Sequence, residues 1–95
     1  MIFKNPYLYN KPLIIYENSL LNKKNIYKDN KDKSGIYRWI NKITNESYIG
    51  SSHNFTRRFQ VFFSEEYLKN WGYKYNSLIY RTLLKYGYRN FNIEI

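Results

Sequence analysis

The chain has no cysteine and no alanine, a single histidine, and 7 acidic residues against 16 basic ones. Without cysteine there are no disulfides, no thiolate-bound zinc and no cysteine nucleophile. No apolar run is long enough to span a bilayer. The N-terminus, Met1-Ile2-Phe3-Lys4-Asn5-Pro6, lacks the apolar centre of a secretory signal and the Arg- and Ser-rich pattern of a mitochondrial import peptide. The shortage of acids leaves a net charge of +9, which favours polyanionic partners, nucleic acid before an anionic membrane surface. That charge is spread along the chain and does not form one basic arm.

Aromatics are abundant: 12 Tyr, 6 Phe and 2 Trp in 95 residues, one small domain's worth. A core this small leans on large rings. Asn, Lys, Ile, Tyr and Phe fill more than half of the chain, and all five are spelled by A- and T-rich codons. A tyrosine here therefore carries less information than it would in a sequence of average composition.

Residues 1–12, with Pro6 and Pro12, read as an irregular lead-in. Pro12-Leu13-Ile14-Ile15-Tyr16 is a short apolar run, either a strand or a packed extension, and the polar stretch from Asn18 to Lys33 allows a helical turn. The first sharp signal is the alternation of Ile36, Arg38 and Ile40 with Tyr37, Trp39 and Asn41, a strand starting at Gly35. Lys42 to Glu46 offers a turn through Asn45, and Ser47-Tyr48-Ile49-Gly50 returns as the second strand of a hairpin. Ser51, Ser52 or Asn54 caps a helix whose Phe55, Phe59, Phe62 and Phe63 share an inward face. A short helical piece from Glu65 leads to a loop around Gly72. A second clear helix runs from about Asn76 to Tyr86, with Leu78, Ile79, Thr82, Leu83 and Tyr86 as its buried stripe and Arg81 and Lys85 on a solvent face. Gly87 ends it in a left-handed conformation, and Phe91 to Ile95 alternates as a third strand.

Two tyrosines on adjacent hairpin strands and an arginine on the next helix can converge on one point. Phosphodiester cleavage needs a group that orients and deprotonates water, a group that neutralises charge developing on phosphate, and a cation at the leaving oxygen. A phenol takes a proton from water only where a cation or metal stabilises its ionised form. Arg58 offers forked donors matched to two phosphate oxygens. Gly35 and Gly50 allow close approach of DNA or of a neighbouring strand. Taken singly, Tyr37 and Tyr48 read as cross-strand packing and Arg57 and Arg58 as a solvated helix face.

The order and spacing of Gly35-Ile36-Tyr37, Tyr48-Ile49-Gly50 and Arg57-Arg58 resemble the GIY-YIG homing endonucleases encoded in group I introns of fungal mitochondrial genomes. The resemblance runs from about Leu13 to Ile95. Ile15-Tyr16-Glu17-Asn18 matches the family's lead-in, Phe55-Thr56-Arg57-Arg58-Phe59 its arginine helix, Leu83-Leu84-Lys85-Tyr86-Gly87-Tyr88 the end of its second helix, and Asn90-Phe91 with Ile93-Glu94-Ile95 its third strand. It implies a small α/β (α+β) fold, a three-stranded antiparallel sheet flanked by helices. It also implies a DNA endonuclease in which Tyr37 positions the hydrolytic water, Tyr48 supports it and Arg58 holds the scissile phosphate, with Arg57 in reserve if the register slips by one. Both tyrosines and Arg58 are then expected on one concave, basic surface. Implied further are Mg2+ or another divalent cation, double-stranded DNA as partner with neither membrane nor small-molecule ligand, a monomer, and an organelle-encoded mitochondrial setting.

The family holds its metal with a glutamate on a helix after the third strand, and no residue here matches it. Glu94 lies on the third strand itself, Glu65 and Glu66 follow the arginine helix too closely, Phe62 occupies a position that is often histidine in relatives, and His53 reads as a loop residue. The division expected is an N-terminal extension and linker over 1–33 and a nuclease domain over 34–95, truncated before its C-terminal helix. The alternative is a non-cutting nucleic-acid-binding remnant or splicing helper. In either case Arg57, Arg81 and Lys85, with Lys74 and Arg89, supply phosphate attraction without sequence readout. DNA affinity is therefore expected to fall steeply with rising salt and to differ little between sequences, which a titration of the dissociation constant against salt concentration on two unrelated duplexes would show.

Overall fold

In the computed structural model, which describes residues 14–72, 74 and 77–95, the organising unit is a hairpin of β2 (Gly35–Asn41) and β3 (Ser47–Ser52). Tyr37 lies opposite Gly50 and Trp39 opposite Tyr48. Asn41 closes the hairpin: its side-chain oxygen accepts from the backbone N–H groups of Ile43 (2.9 Å) and Thr44 (3.3 Å). Asn45 takes a φ of 62°, a left-handed geometry that asparagine tolerates.

β4 (Phe91–Glu94) pairs antiparallel with the other edge of β2, placing Trp39 opposite Ile93 and Arg38 opposite Glu94. β1 (Ile15–Tyr16) adds to β4, so the sheet has four strands in the order β1-β4-β2-β3 instead of the three expected. A two-residue strand has no period to read, and its partner lies at the opposite end of the chain. The lead-in at Pro6 and Pro12 falls outside the described residues.

One sheet face is covered by helices and the other is open. Tyr37, Trp39, Asn41, Phe91 and Ile93 are buried, whereas Ile36, Ile49 and Ile15 on the open face are exposed. There the cross-strand pair Arg38–Glu94 forms an ion pair at 3.0 Å. The covering layer is α2 (Phe55–Phe62), capped by Asn54, whose side chain accepts from the Arg57 N–H at 3.2 Å. Phe55, Phe59 and Phe62 are driven onto the sheet at helical spacing. Trp39 sits under them, its ring centroid 5.1 Å from Phe62, 5.8 Å from Phe63 and 5.9 Å from Phe91. Tilted and edge-to-face ring pairs of this kind contribute beyond the area they bury.

α3 (Glu65–Trp71) starts at the Ser64 cap with Glu65 and Glu66 in its first turn, where carboxylates suit the positive end of the helix. α4 (Leu78–Tyr86) starts at the Ser77 cap. Its buried side differs from the expected stripe: Tyr80 and Leu83 are buried while Leu78 is 53% exposed. The helix is rotated so that the Tyr80 ring stands edge-on to Phe62 (5.8 Å) and Tyr67 (6.1 Å), a tertiary fit that helical periodicity does not encode. Gly87 has a positive φ (82°) but an extended ψ (148°), so the chain turns directly into a 3-10 helix at Tyr88–Asn90 and not through a left-handed helical residue.

Residues 14–33 pack on this frame. α1 (Lys23–Asp29) buries Ile26, and Ser19 Oγ donates to the Tyr88 carbonyl at 2.6 Å. Tyr16 donates to Asp29 Oδ2 at 2.9 Å and accepts from Asn30 Nδ2 at 3.1 Å. Among the described residues no helix is long and apolar enough to cross a membrane.

Burial and the hydrogen bond to Asp29 push the Tyr16 pKa up to about 12. Folding thus favours the protonated phenol: the folded chain holds this proton more tightly than the unfolded one, so the stabilisation is complete below about pH 10 and is lost as pH rises towards 12. Urea unfolding at pH values from 8 to 12 should show this loss, and Tyr16→Phe should make the decline shallower.

Candidate active site

β3 ends at Ser52 and α2 begins at Phe55, so the first turn of α2 must start close to the hairpin it covers. The Ser52 hydroxyl fixes that connection, donating to the Asn54 carbonyl (2.9 Å) and accepting from the Asn54 N–H (3.0 Å). Arg58 follows one turn into the helix and reaches the Tyr37 hydroxyl. Its Nε donates to the Tyr37 hydroxyl at 3.1 Å and its Nη1 to the Tyr80 hydroxyl at 3.1 Å. The guanidinium carbon lies 4.4 Å from the Phe62 ring centroid. Burial works against the Arg58 charge, and the hydrogen bonds to Tyr37 and Tyr80 outweigh it, so its pKa stands above the ordinary arginine value.

Tyr37 is 5% exposed. Phe62, Phe59 and Phe55 surround its ring with centroids at 5.5, 5.6 and 6.2 Å, all edge-to-face. Across the hairpin, a Cβ on Gly50 would collide with the Tyr37 ring and hydroxyl, so only glycine leaves room for this phenol. Gly35 serves a backbone need: its φ of 149° is strained for any other residue, and the Phe55 ring lies 3.4 Å from where a Cβ would stand.

Tyr37, Tyr48, Gly50 and Arg58 border one cavity of about 290 Å³, completed by Trp39, Ile49, Ser51, Phe62 and Ile79. Tyr48 lies on the same sheet face as Tyr37 because it pairs with Trp39, two residues further along β2. The Tyr48 hydroxyl and the Trp39 indole nitrogen are buried without a hydrogen-bond partner among the described residues.

The other basic candidates lie away from this cavity. Arg57 is exposed beside Arg58. On α4, Arg81 is half-buried with its Nε at 3.5 Å from the Ser77 carbonyl, and the Lys85 ammonium sits 5.2 Å from the Tyr86 ring centroid. Lys74 covers Trp71 at 4.5 Å and Arg89 is exposed.

All 7 acidic residues lie within the described part, and none lines the cavity. Glu94 is on the opposite face of the sheet, engaged with Arg38. Glu65 and Glu66 are exposed at the start of α3, and His53 is exposed after β3. No group of three His, Asp or Glu side chains suited to a metal ion occurs among the described residues. Hydroxyls beside a buried guanidinium are poor ligands for a divalent cation, which prefers carboxylates, so the residues described do not fit one.

Tyr80 was absent from the sequence-based candidates. In a chain with 12 tyrosines nothing marks this one, and its role arises from the rotation of α4.

No family model matches the chain, and no solved structure matches it. Over an alignment of 84 positions that covers 84% of the chain, the sequence is 36% identical to the "Probable intron-encoded endonuclease 1" of Neurospora crassa. This similarity supports a relationship to intron-encoded endonucleases. The chain spans about a quarter of that protein's length, 25%.

Gly50→Ala should displace the Tyr37 ring, costing about 1–3 kcal/mol as overpacking does and loosening the Arg58–Tyr37 hydrogen bond. Urea denaturation together with the near-ultraviolet dichroism of the aromatic core measures both effects.

Proposed function

We propose that this chain is the nuclease domain of an intron-homing DNA endonuclease of the GIY-YIG type, hydrolysing phosphodiester bonds in double-stranded DNA. The observation that carries the reading is the 3.1 Å contact between Arg58 Nε and the Tyr37 hydroxyl beside a cavity that Tyr48 also borders. Similarity to an intron-encoded endonuclease supports it independently.

In this reading the Tyr37 oxygen, fixed by its hydrogen bond from Arg58 Nε, positions the attacking water beside the phosphate. Arg58 has its Nε hydrogen and one Nη1 hydrogen engaged, leaving the second Nη1 hydrogen and both Nη2 hydrogens for phosphate oxygens. A scissile phosphate docked on that edge meets a charge already partly desolvated and already oriented, which favours the extra negative charge of the transition state. Tyr48, with no competing hydrogen bond among the described residues, is the group that would complete the water's surroundings. Arg57, Arg81 and Lys85 contribute general attraction for the backbone.

A divalent cation, Mg2+ by resemblance, belongs to the same proposal, although the described residues do not fit one. A monomer acting on DNA in a mitochondrion is the setting that goes with this reading. A cavity lined by no carboxylate among the described residues favours a second reading, a domain that holds nucleic acid without cutting it.

Supercoiled plasmid incubated with the purified chain and Mg2+ separates the two. Nicking that is abolished by chelation and reduced by about 10²–10³-fold in Tyr37→Phe and Arg58→Ala supports the nuclease. Binding without nicking assigns the second reading.

A further inference from the structure

We propose that Tyr80 is a positioning residue, setting which edge of the Arg58 guanidinium meets the substrate phosphate. The inference rests on the nuclease reading above and deepens it by adding a group that touches no reacting atom.

A single hydrogen bond from Arg58 Nε to Tyr37 leaves the guanidinium free to swing about that bond. Two further contacts remove the freedom: Nη1 donates to the Tyr80 hydroxyl at 3.1 Å, and Phe62 lies under the guanidinium carbon at 4.4 Å. With the Nε hydrogen and one Nη1 hydrogen tied to separate phenols, the other Nη1 hydrogen and the two Nη2 hydrogens form the edge left for an oxyanion. Tyr80 can hold this position because it is itself held. It is 6% exposed, and its ring stands edge-on to Phe62 at 5.8 Å and to Tyr67 at 6.1 Å. Its backbone N–H meets the Ser77 hydroxyl at the start of α4. The docking of α4 is thereby coupled to the donor geometry at the cavity. Loss of the hydroxyl alone would also leave a half-buried Nη1 donor without that acceptor.

Tyr80→Phe keeps the ring and removes the hydroxyl. Its thermal midpoint should stay within about 5 °C of the parent. Plasmid nicking with Mg2+ should lose about 10–100-fold in kcat, with KM changed by less than about twofold. In 15N NMR spectra the Arg58 Nη signals, separate in the parent because rotation is restrained, should merge in the variant. An unchanged kcat with unchanged Nη signals overturns the proposal, as does a rise in KM at constant kcat. If the parent chain does not nick DNA, the nuclease reading fails by itself and the Nη signals alone decide the role of Tyr80. If Tyr80→Phe does not fold, 3-fluorotyrosine at position 80 keeps ring and hydroxyl but weakens the acceptor, and the same readouts apply.

Discussion

The contact between the Arg58 side chain and the Tyr37 hydroxyl joins the two halves of the domain. Tyr37 belongs to the central strand of the sheet and Arg58 to the helix that covers it, so their hydrogen bond forms only when helix and hairpin are correctly docked. The demands it makes explain much of the surrounding sequence. Gly50 must lack a side chain because the phenol occupies that space, and Phe55, Phe59 and Phe62 must be aromatic or comparably large to wall the ring. Burying a guanidinium opposes its charge, and here the opposition is met by two hydroxyl acceptors and an aromatic face.

The core takes large rings and an asparagine beside its two fully buried isoleucines, Ile26 and Ile93. Ile15, Ile36 and Ile49 lie on the open face of the sheet, while Asn41 is fully buried beneath the helices. Ring packing accounts for the choice. Trp39 and Tyr37 fill the space beneath α2 in a way isoleucines could not, and Asn41 satisfies its side-chain oxygen on the turn that closes the hairpin. A composition biased towards Tyr and Phe has thus been turned into a core without alanine or cysteine.

Electrostatics divide the sheet by face. The centre of the open face is neutralised by Arg38 and Glu94, whereas the helix-covered face presents a guanidinium to a cavity free of carboxylates. Such a cavity suits an anion. A net charge of +9 adds to that, in keeping with the DNA substrate proposed for the site.

The hairpin, the arginine helix and the third strand were legible because each depends on near neighbours, through alternation and helical spacing, whereas the helix cap was narrowed only to Ser51, Ser52 or Asn54 and is Asn54. The motif tyrosines and Arg58 were legible as candidates through their order. What the sequence by itself determined was therefore local: which segments form strands and helices, and which residues could meet. Tertiary structure alone decided the rest. Two residues became a fourth strand because β4 offered an unpaired edge. The rotation of α4 brought Tyr80 to Arg58 and left Leu78 outside. The register of β2 on β4 set Arg38 opposite Glu94, so that the two charges meet. These outcomes depend on contacts between distant parts of the chain, and no local period records them.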